Sequence, residues 1–276
     1  MPIITFWSNN EKAIGQTVSA ASVATVMAID HNYKVLLISA DINNAKMKDC
    51  FGSEESNREI LKSLIKKPQM SLDSGINGLL KMADSNRVTP DMIHDYTKIV
   101  FNRLEVLYSP MNLEENKTQN FLEKMKNIIL NAARYYDQVI VDLKKGLKYN
   151  EQLEILNSSD VIIANTDPGT KTIEQFFQIK EMEKIYNKVI WNICKSDKNS
   201  KYNSKNILRT ILKKQVVCEV PYNTLLHDAC EEGKIAELML RFRTIEEESD
   251  NKQFLLMTQK INEQIFLKYQ ETRIKI

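Results

Sequence analysis

The sequence lacks any large excess of one charge. Its 38 basic and 36 acidic side chains in 276 residues leave a formal +2, so no whole-molecule field draws it to nucleic acid or membrane, and any such affinity must come from a local patch. It also lacks an apolar run near the roughly 18 residues that cross a bilayer. A strand pattern begins at once, without the basic leader and apolar stretch of a secretory signal, so a cytoplasmic protein is expected. Cysteine is scarce. Cys50, Cys194, Cys218 and Cys230 lie far apart and form no C-x-x-C pair, a pattern that fits buried, reduced thiols better than a disulfide framework or a zinc site. His31, His94 and His227 stand at no ligand spacing, no Ser-His-Asp or Cys-His arrangement presents itself, and neither a repeat nor a low-complexity linker interrupts the chain.

What is present is an alternation of apolar strands and helices. Ile3 to Trp7 is a short apolar run, followed by the turn-prone Ser8-Asn9-Asn10 and a small-residue helix over 16–30. Lys34 to Ser39 is a continuously apolar second strand, the mark of a strand buried on both faces of a parallel sheet. Residues 42–100 are more polar and are read as helices, one opening at Ile76 and another with Pro90 in its first turn. Further strands are predicted at Leu104–Tyr108, Gln138–Asp142, Val161–Ala164, Lys188–Asn192 and Val216–Val220, with helices over 118–134 and 171–184 and an amphipathic closing helix within 251–271. The predicted fold is α/β, a doubly wound, mostly parallel sheet flanked by helices, with residues 1–276 as a single domain. Such a fold binds ligands at the C-terminal ends of its strands.

The turn after the first strand has the length and position of a phosphate loop. Such a loop cradles phosphates with backbone N–H groups at a helix N-terminus, while Lys and Ser/Thr serve the phosphate and Mg²⁺. Here Gly15 and Thr17 are in place, but Asn10 stands where the first glycine belongs and Gln16 where the lysine belongs. Asparagine tolerates positive φ better than most residues, so the turn remains accessible.

With its neighbours, this loop resembles that of the ParA/MinD family of deviant-Walker P-loop ATPases, including the TadZ/CpaE branch. In that family the loop reads K-G-G-x-G-K-T and opens a small-residue helix. The family's Walker B strand, Y-D-x-V-I-x-D-x-x-x-G, is similar to Tyr136-Asp137-Gln-Val-Ile-Val-Asp142-Leu-Lys-Lys-Gly146. The resemblance implies a three-layer α/β/α fold binding ATP or ADP with Mg²⁺. Thr17 and Asp142 would serve the metal, Asp41 would be the switch I carboxylate, and Asn192 with Pro221 would meet the base. Each of these strand-ending residues also has a plainer reading as a helix or turn cap.

The departures bear on mechanism. Glu11 occupies the place of the family's signature lysine, and Lys12 can substitute only if the loop shifts by one residue. Losing a charge-assisted hydrogen bond at Gln16 weakens ATP binding by about 1.5–3 kcal/mol. Turnover suffers more, because phosphoryl transfer depends on positioned positive charge. The expected function is a degenerate, weakly nucleotide-binding homodimeric switch or scaffold for a partner assembly such as a pilus, secretion or partition apparatus. The alternatives are an active ATPase using Lys12, and a nucleotide-free module that binds DNA or protein. The stretch 195–214 gathers Lys195, Lys198, Lys201, Lys205, Arg209, Lys213 and Lys214 against Asp197, either a solvated face or a non-specific DNA contact with nucleoid association. The stripe Phe254, Met257, Ile261, Ile265 and Tyr269 serves either a helix packed on the sheet or, less favoured, a membrane-surface helix.

Overall fold

The computed structural model describes residues 1–9, 14–42, 44–52, 76–84, 88–101, 103–110, 118–143, 149–179, 182–213 and 215–274. Its frame is an eight-stranded sheet: β1 Ile3–Trp7, β2 Val35–Ala40, β3 Lys98–Phe101, β4 Leu104–Leu107, β5 Gln138–Leu143, β6 Val161–Thr166, β7 Val189–Ser196 and β8 Val217–Pro221. In space they run β3-β4-β2-β5-β1-β6-β7-β8. Every pairing is parallel except β3 with β4. The continuously apolar strands predicted from sequence are buried throughout β1, β2, β4, β5 and β6, as a sheet covered on both faces requires.

The helices are α1 Gln16–Asp30, α2 Lys46–Phe51, α3 Ile76–Asp84, α4 Pro90–Asp95, α5 Thr118–Ala132, α6 Tyr149–Ser158, α7 Thr170–Phe177, α8 Met182–Ile185, α9 Ser204–Thr210, α10 Thr224–Glu231, α11 Ile235–Arg243 and α12 Asp250–Ile274. They divide between two cores. One face of the sheet packs against α3, α5, α6 and α7 through residues such as Leu79, Met125, Ile155 and Phe176. The other packs against α1, α2, α10, α11 and α12 through Ala20, Ala24, Met27, Cys50, Met239 and Phe254. Alanine and serine along α1 let it lie close between the sheet and α12, and its residues from Gln16 to Ala28 are almost all buried.

The structure differs from the sequence reading at three places. The strand at Lys98–Phe101 was absorbed into a helical region. It is an antiparallel edge strand too short to show a period, with Ile99 60% exposed. The helix expected over 171–184 is divided into α7 and α8. Pro221, one residue past the strand predicted at Val216–Val220, is the last residue of β8 and pairs with Ser196; β8 is an edge strand, where a missing N–H is tolerated. The closing helix spends its stripe on packing: Phe254, Ile261 and Ile265 are fully buried, and Tyr269 rests against the same core. Among the described residues no helix is long and apolar enough to cross a membrane.

Candidate functional site

The site is built on the central strand. β1 lies between β5 and β6, and register places Phe6 beside Asp142, which in turn pairs with Ser39 of β2. The chain leaving β1 turns into α1 through Gly15, whose φ of 92° and ψ of 14° lie in the left-handed region that glycine adopts freely. Gly15 at the N-cap has no side chain with which to cap this helix end, and the first N–H groups face the C-terminal edge of the sheet with the positive end of the helix dipole. Asn10, Glu11 and Lys12 lie outside the described residues, as do Gly146 and Lys214.

Gln16, in the first turn of α1, is fully buried. Its Nε2 donates to Asp142 Oδ1 at 2.7 Å and to the carbonyl oxygens of Leu143 at 2.7 Å and Phe6 at 3.2 Å. Because all three neighbours are acceptors, the amide can only present its nitrogen to them. An amide carries two N–H groups, so three acceptors share two protons, a set that an ammonium with its three N–H groups would satisfy in full. Gln16 Oε1 is left without a hydrogen-bond partner among the described residues. The side chain in the lysine's place therefore ties the ends of β1 and β5 together as a neutral strut.

Thr17 is 2% exposed, and its Oγ1 has no hydrogen-bond partner among the described residues. A buried hydroxyl without a partner among the described residues, in the first turn of α1 beside Gln16 and its Asp142 contact, fits a nucleotide phosphate and a hard cation. Gln16 Oε1 is an acceptor, which a phosphate oxygen cannot satisfy but a metal-bound water can. Asp41 follows the last residue of β2, is 8% exposed, and accepts from Asn44 Nδ2 at 2.6 Å. Asn44 Oδ1 in turn accepts from the backbone N–H of Lys46 at 2.9 Å, so the carboxylate is braced from the start of α2.

Asn192 was read as a strand end. β7 continues to Ser196, so Asn192 sits inside the strand and is fully buried. Its Nδ2 donates to Asn165 Oδ1 at 2.9 Å and Ser19 Oγ at 3.0 Å, while Asn165 Nδ2 donates to the Trp7 carbonyl at 3.3 Å. The result is a polar chain from α1 across β7 and β6 to β1. Sequence reasoning missed Ser19 and Asn165, and no motif marks them; their role follows from strand neighbours that only the fold assigns. Pro221 closes β8, followed by Tyr222, which is 58% exposed. Trp7 turns its indole to Gln152 Oε1 at 2.5 Å and packs edge-on against Phe176.

No protein-family model matches the sequence, and neither does any curated protein. Solved structures do. A ParA family ATPase from Chlorobium tepidum TLS superposes with a TM-score of 0.69 at 16% identity, covering 92% of this chain and 96% of its own. The septum site-determining protein MinD of Pyrococcus horikoshii OT3, complexed with Mg-ADP, gives 0.65 at 14% identity over 97% and 98% of the two chains. A chain of the MinC:MinD cell division protein complex of Aquifex aeolicus gives 0.60 at 18% identity, covering 95% of each. The arrangement of strands and helices thus belongs to a known architecture, and this chain has the fold of the ParA and MinD ATPases.

Proposed function

We propose that the protein is a nucleotide-binding switch or scaffold of ParA/MinD type with weak or absent ATP hydrolysis, acting as a homodimer on a partner assembly. One observation carries this reading. The residue at the lysine position is a neutral amide given over to Asp142, Leu143 and Phe6, while the hydroxyl of Thr17 beside it stays without a partner among the described residues. Among the described residues, groups that would hold a phosphate and metal are in place, and the position that would carry the accelerating cation holds the neutral Gln16. Bound ATP–Mg²⁺ would supply the γ-phosphate that distinguishes one state of a switch from the other. The N-terminal N–H groups of α1 would hold its phosphates, Thr17 and Asp142 would face the metal, and Asp41 would sense the difference from the end of β2. Asn192 Nδ2 is engaged by Ser19 and Asn165, so a base at Pro221 and Tyr222 would meet the amide through Oδ1, a buried acceptor without a partner among the described residues.

Calorimetric titration with ATP–Mg²⁺, run beside a phosphate-release assay, tests the reading. Saturable binding with phosphate release no faster than the buffer control is expected. Brisk release would overturn the pseudo-enzyme, and an absence of any binding heat or saturation would overturn the nucleotide switch.

DNA contact is a second reading, favoured by one surface. Lys195, Lys198, Lys201, Lys205, Arg209 and Lys213 are all exposed on the connection from β7 and on or beside α9. Binding through them is expected to fall steeply with salt, each lost phosphate contact lowering the log–log slope by about 0.9. Replacing Lys201, Lys205 and Arg209 with alanine should flatten that slope by roughly 2–3, measured by fluorescence anisotropy on duplexes of unrelated sequence.

A further inference from the structure

The sequence keeps its four cysteines far apart, yet the fold brings two of them together. Cys50, on the last turn of α2, and Cys230, near the end of α10, place their sulfurs 2.9 Å apart although 180 residues separate them. Both are buried. A disulfide needs about 2.05 Å, so the sulfurs must close by roughly 0.9 Å to bond.

The surrounding seam holds them in place. Lys46 Nζ, on the same helix as Cys50, meets Glu231 Oε1 at 2.5 Å. Gly233, at φ +72°, lies so close to Gly52 that a Cβ built on it would stand 2.5 Å from the Gly52 nitrogen. Lys98 Nζ donates to the carbonyl oxygens of Phe51 and Gly52 at 3.1 and 2.8 Å. The Lys46–Glu231 pair and the Gly52–Gly233 contact therefore fasten α2 to the end of α10 and the turn after it, while Lys98 ties the end of α2 to β3.

We propose that Cys50 and Cys230 are a redox-modification site, in which a peroxide converts the thiol pair to a disulfide that locks α2 onto α10. The Cys230 thiolate attacks hydrogen peroxide, forming a sulfenic acid and releasing hydroxide. The Cys50 sulfur then attacks the sulfenic sulfur, forms the S–S bond and expels the oxygen, which leaves as water with the remaining thiol proton. Two thiols and one peroxide give one disulfide and two waters. The chemistry suits the setting: the hydrogen bond from Cys50 and the nearby Lys46 ammonium hold the Cys230 thiol below its ordinary pKa despite burial, and peroxide is small enough to enter a buried seam. Disulfides in reducing compartments are characteristically transient and redox-sensing. Because α2 begins five residues after Asp41 and is braced to it through Asn44, the bond would fix the chain leaving β2. The inference concerns the thiol pair alone and stands whether or not nucleotide binds.

The reduced, full-length protein is exposed to hydrogen peroxide, quenched with iodoacetamide under denaturing conditions and peptide-mapped by mass spectrometry. A linked peptide pair containing Cys50 and Cys230 is expected, with Cys194 and Cys218 alkylated. Because the bond closes a long loop, the oxidised protein should melt roughly 5–10 °C higher, reversibly with dithiothreitol. In Cys50→Ala the reaction should stop at a dimedone-reactive sulfenic acid on Cys230. Should that variant not fold, the wild-type map decides by itself. Full alkylation of Cys50 and Cys230 after peroxide, pairing with another cysteine, or sulfinic acid on Cys230 beside a free Cys50 would each overturn the proposal.

Discussion

Replacing Gln16 with lysine is expected to tighten ATP–Mg²⁺ binding by roughly ten- to a hundred-fold, the equivalent of one charge-assisted hydrogen bond worth about 1.5–3 kcal/mol. The position is prepared for it. Phe6 O, Asp142 Oδ1 and Leu143 O converge on Gln16 Nε2, so a lysine ammonium can be held there without ligand and turn one of its three N–H groups from a carbonyl oxygen to a phosphate oxygen when ATP binds. The substitution also removes Gln16 Oε1, a buried acceptor without a partner among the described residues. Before ligand arrives the new charge is neutralised by Asp142, which limits the cost of burying it. Calorimetry on Gln16→Lys against wild type reads the change in Kd. Unchanged affinity in a folded variant would mean that the ammonium stays on Phe6 O, Asp142 Oδ1 and Leu143 O, as the amide does, instead of turning to a phosphate, and the reading of the turn as a phosphate cradle would fall with it.

Glu105→Ala is expected to destabilise the fold by about 3 kcal/mol without changing nucleotide affinity per folded molecule. Glu105 is 3% exposed on β4. Its Oε2 accepts from Tyr136 Oη, from Thr97 Oγ1 at 2.7 Å and from His94 Nδ1 at 2.9 Å, with Lys34 Nζ 3.4 Å from Oε1. Truncation strands the hydroxyl of the fully buried Tyr136. Burial by itself raises the carboxyl's pKa, but hydrogen bonds from Tyr136, His94 and Thr97 and the charge of Lys34 together outweigh it and hold the group below its ordinary value. A carboxylate depressed in the folded state contributes stability that is present above its unfolded pKa of about 4.3 and is lost as pH falls through the folded pKa. Urea midpoints should therefore fall more steeply for wild type than for Glu105→Gln below about pH 4. Parallel curves would show that the cluster contributes nothing through its charge. Glu105 pairs with Leu36 near the start of β2, whereas Asp41 lies just past that strand's C-terminal end, so the cluster and the candidate site are separated by the length of the strand.

Much of the architecture was legible in the sequence because parallel strands buried on both faces read as unbroken apolar runs. The small-residue helix over 16–30 and the strand ending on Asp142 were visible for the same reason, since burial constrains nearly every position in them. The short strand β3, the break between α7 and α8 and helices α10 and α11 were not visible. Their residues are half-exposed, short or mixed in character, and their placement depends on neighbours distant in the chain. The basic stretch 195–214 was visible as composition, and the structure adds that its described cations are exposed.

The candidate site divides in the same way. Gly15, Gln16, Thr17, Asp41 and Asp142 could be read from order and spacing, since a doubly wound sheet places strand ends at one edge. That Gln16 points back to bind Asp142 and two carbonyl oxygens, that Asn192 Nδ2 donates to Ser19 and Asn165, and that Cys50 lies against Cys230 could not be read. The sequence by itself determined which elements form and which edge of the sheet carries the polar groups, because hydrophobic periodicity and turn chemistry are local. Which side chains meet across that edge was decided only by tertiary structure, because a hydrogen bond or a sulfur contact depends on ångström distances between segments up to 180 residues apart.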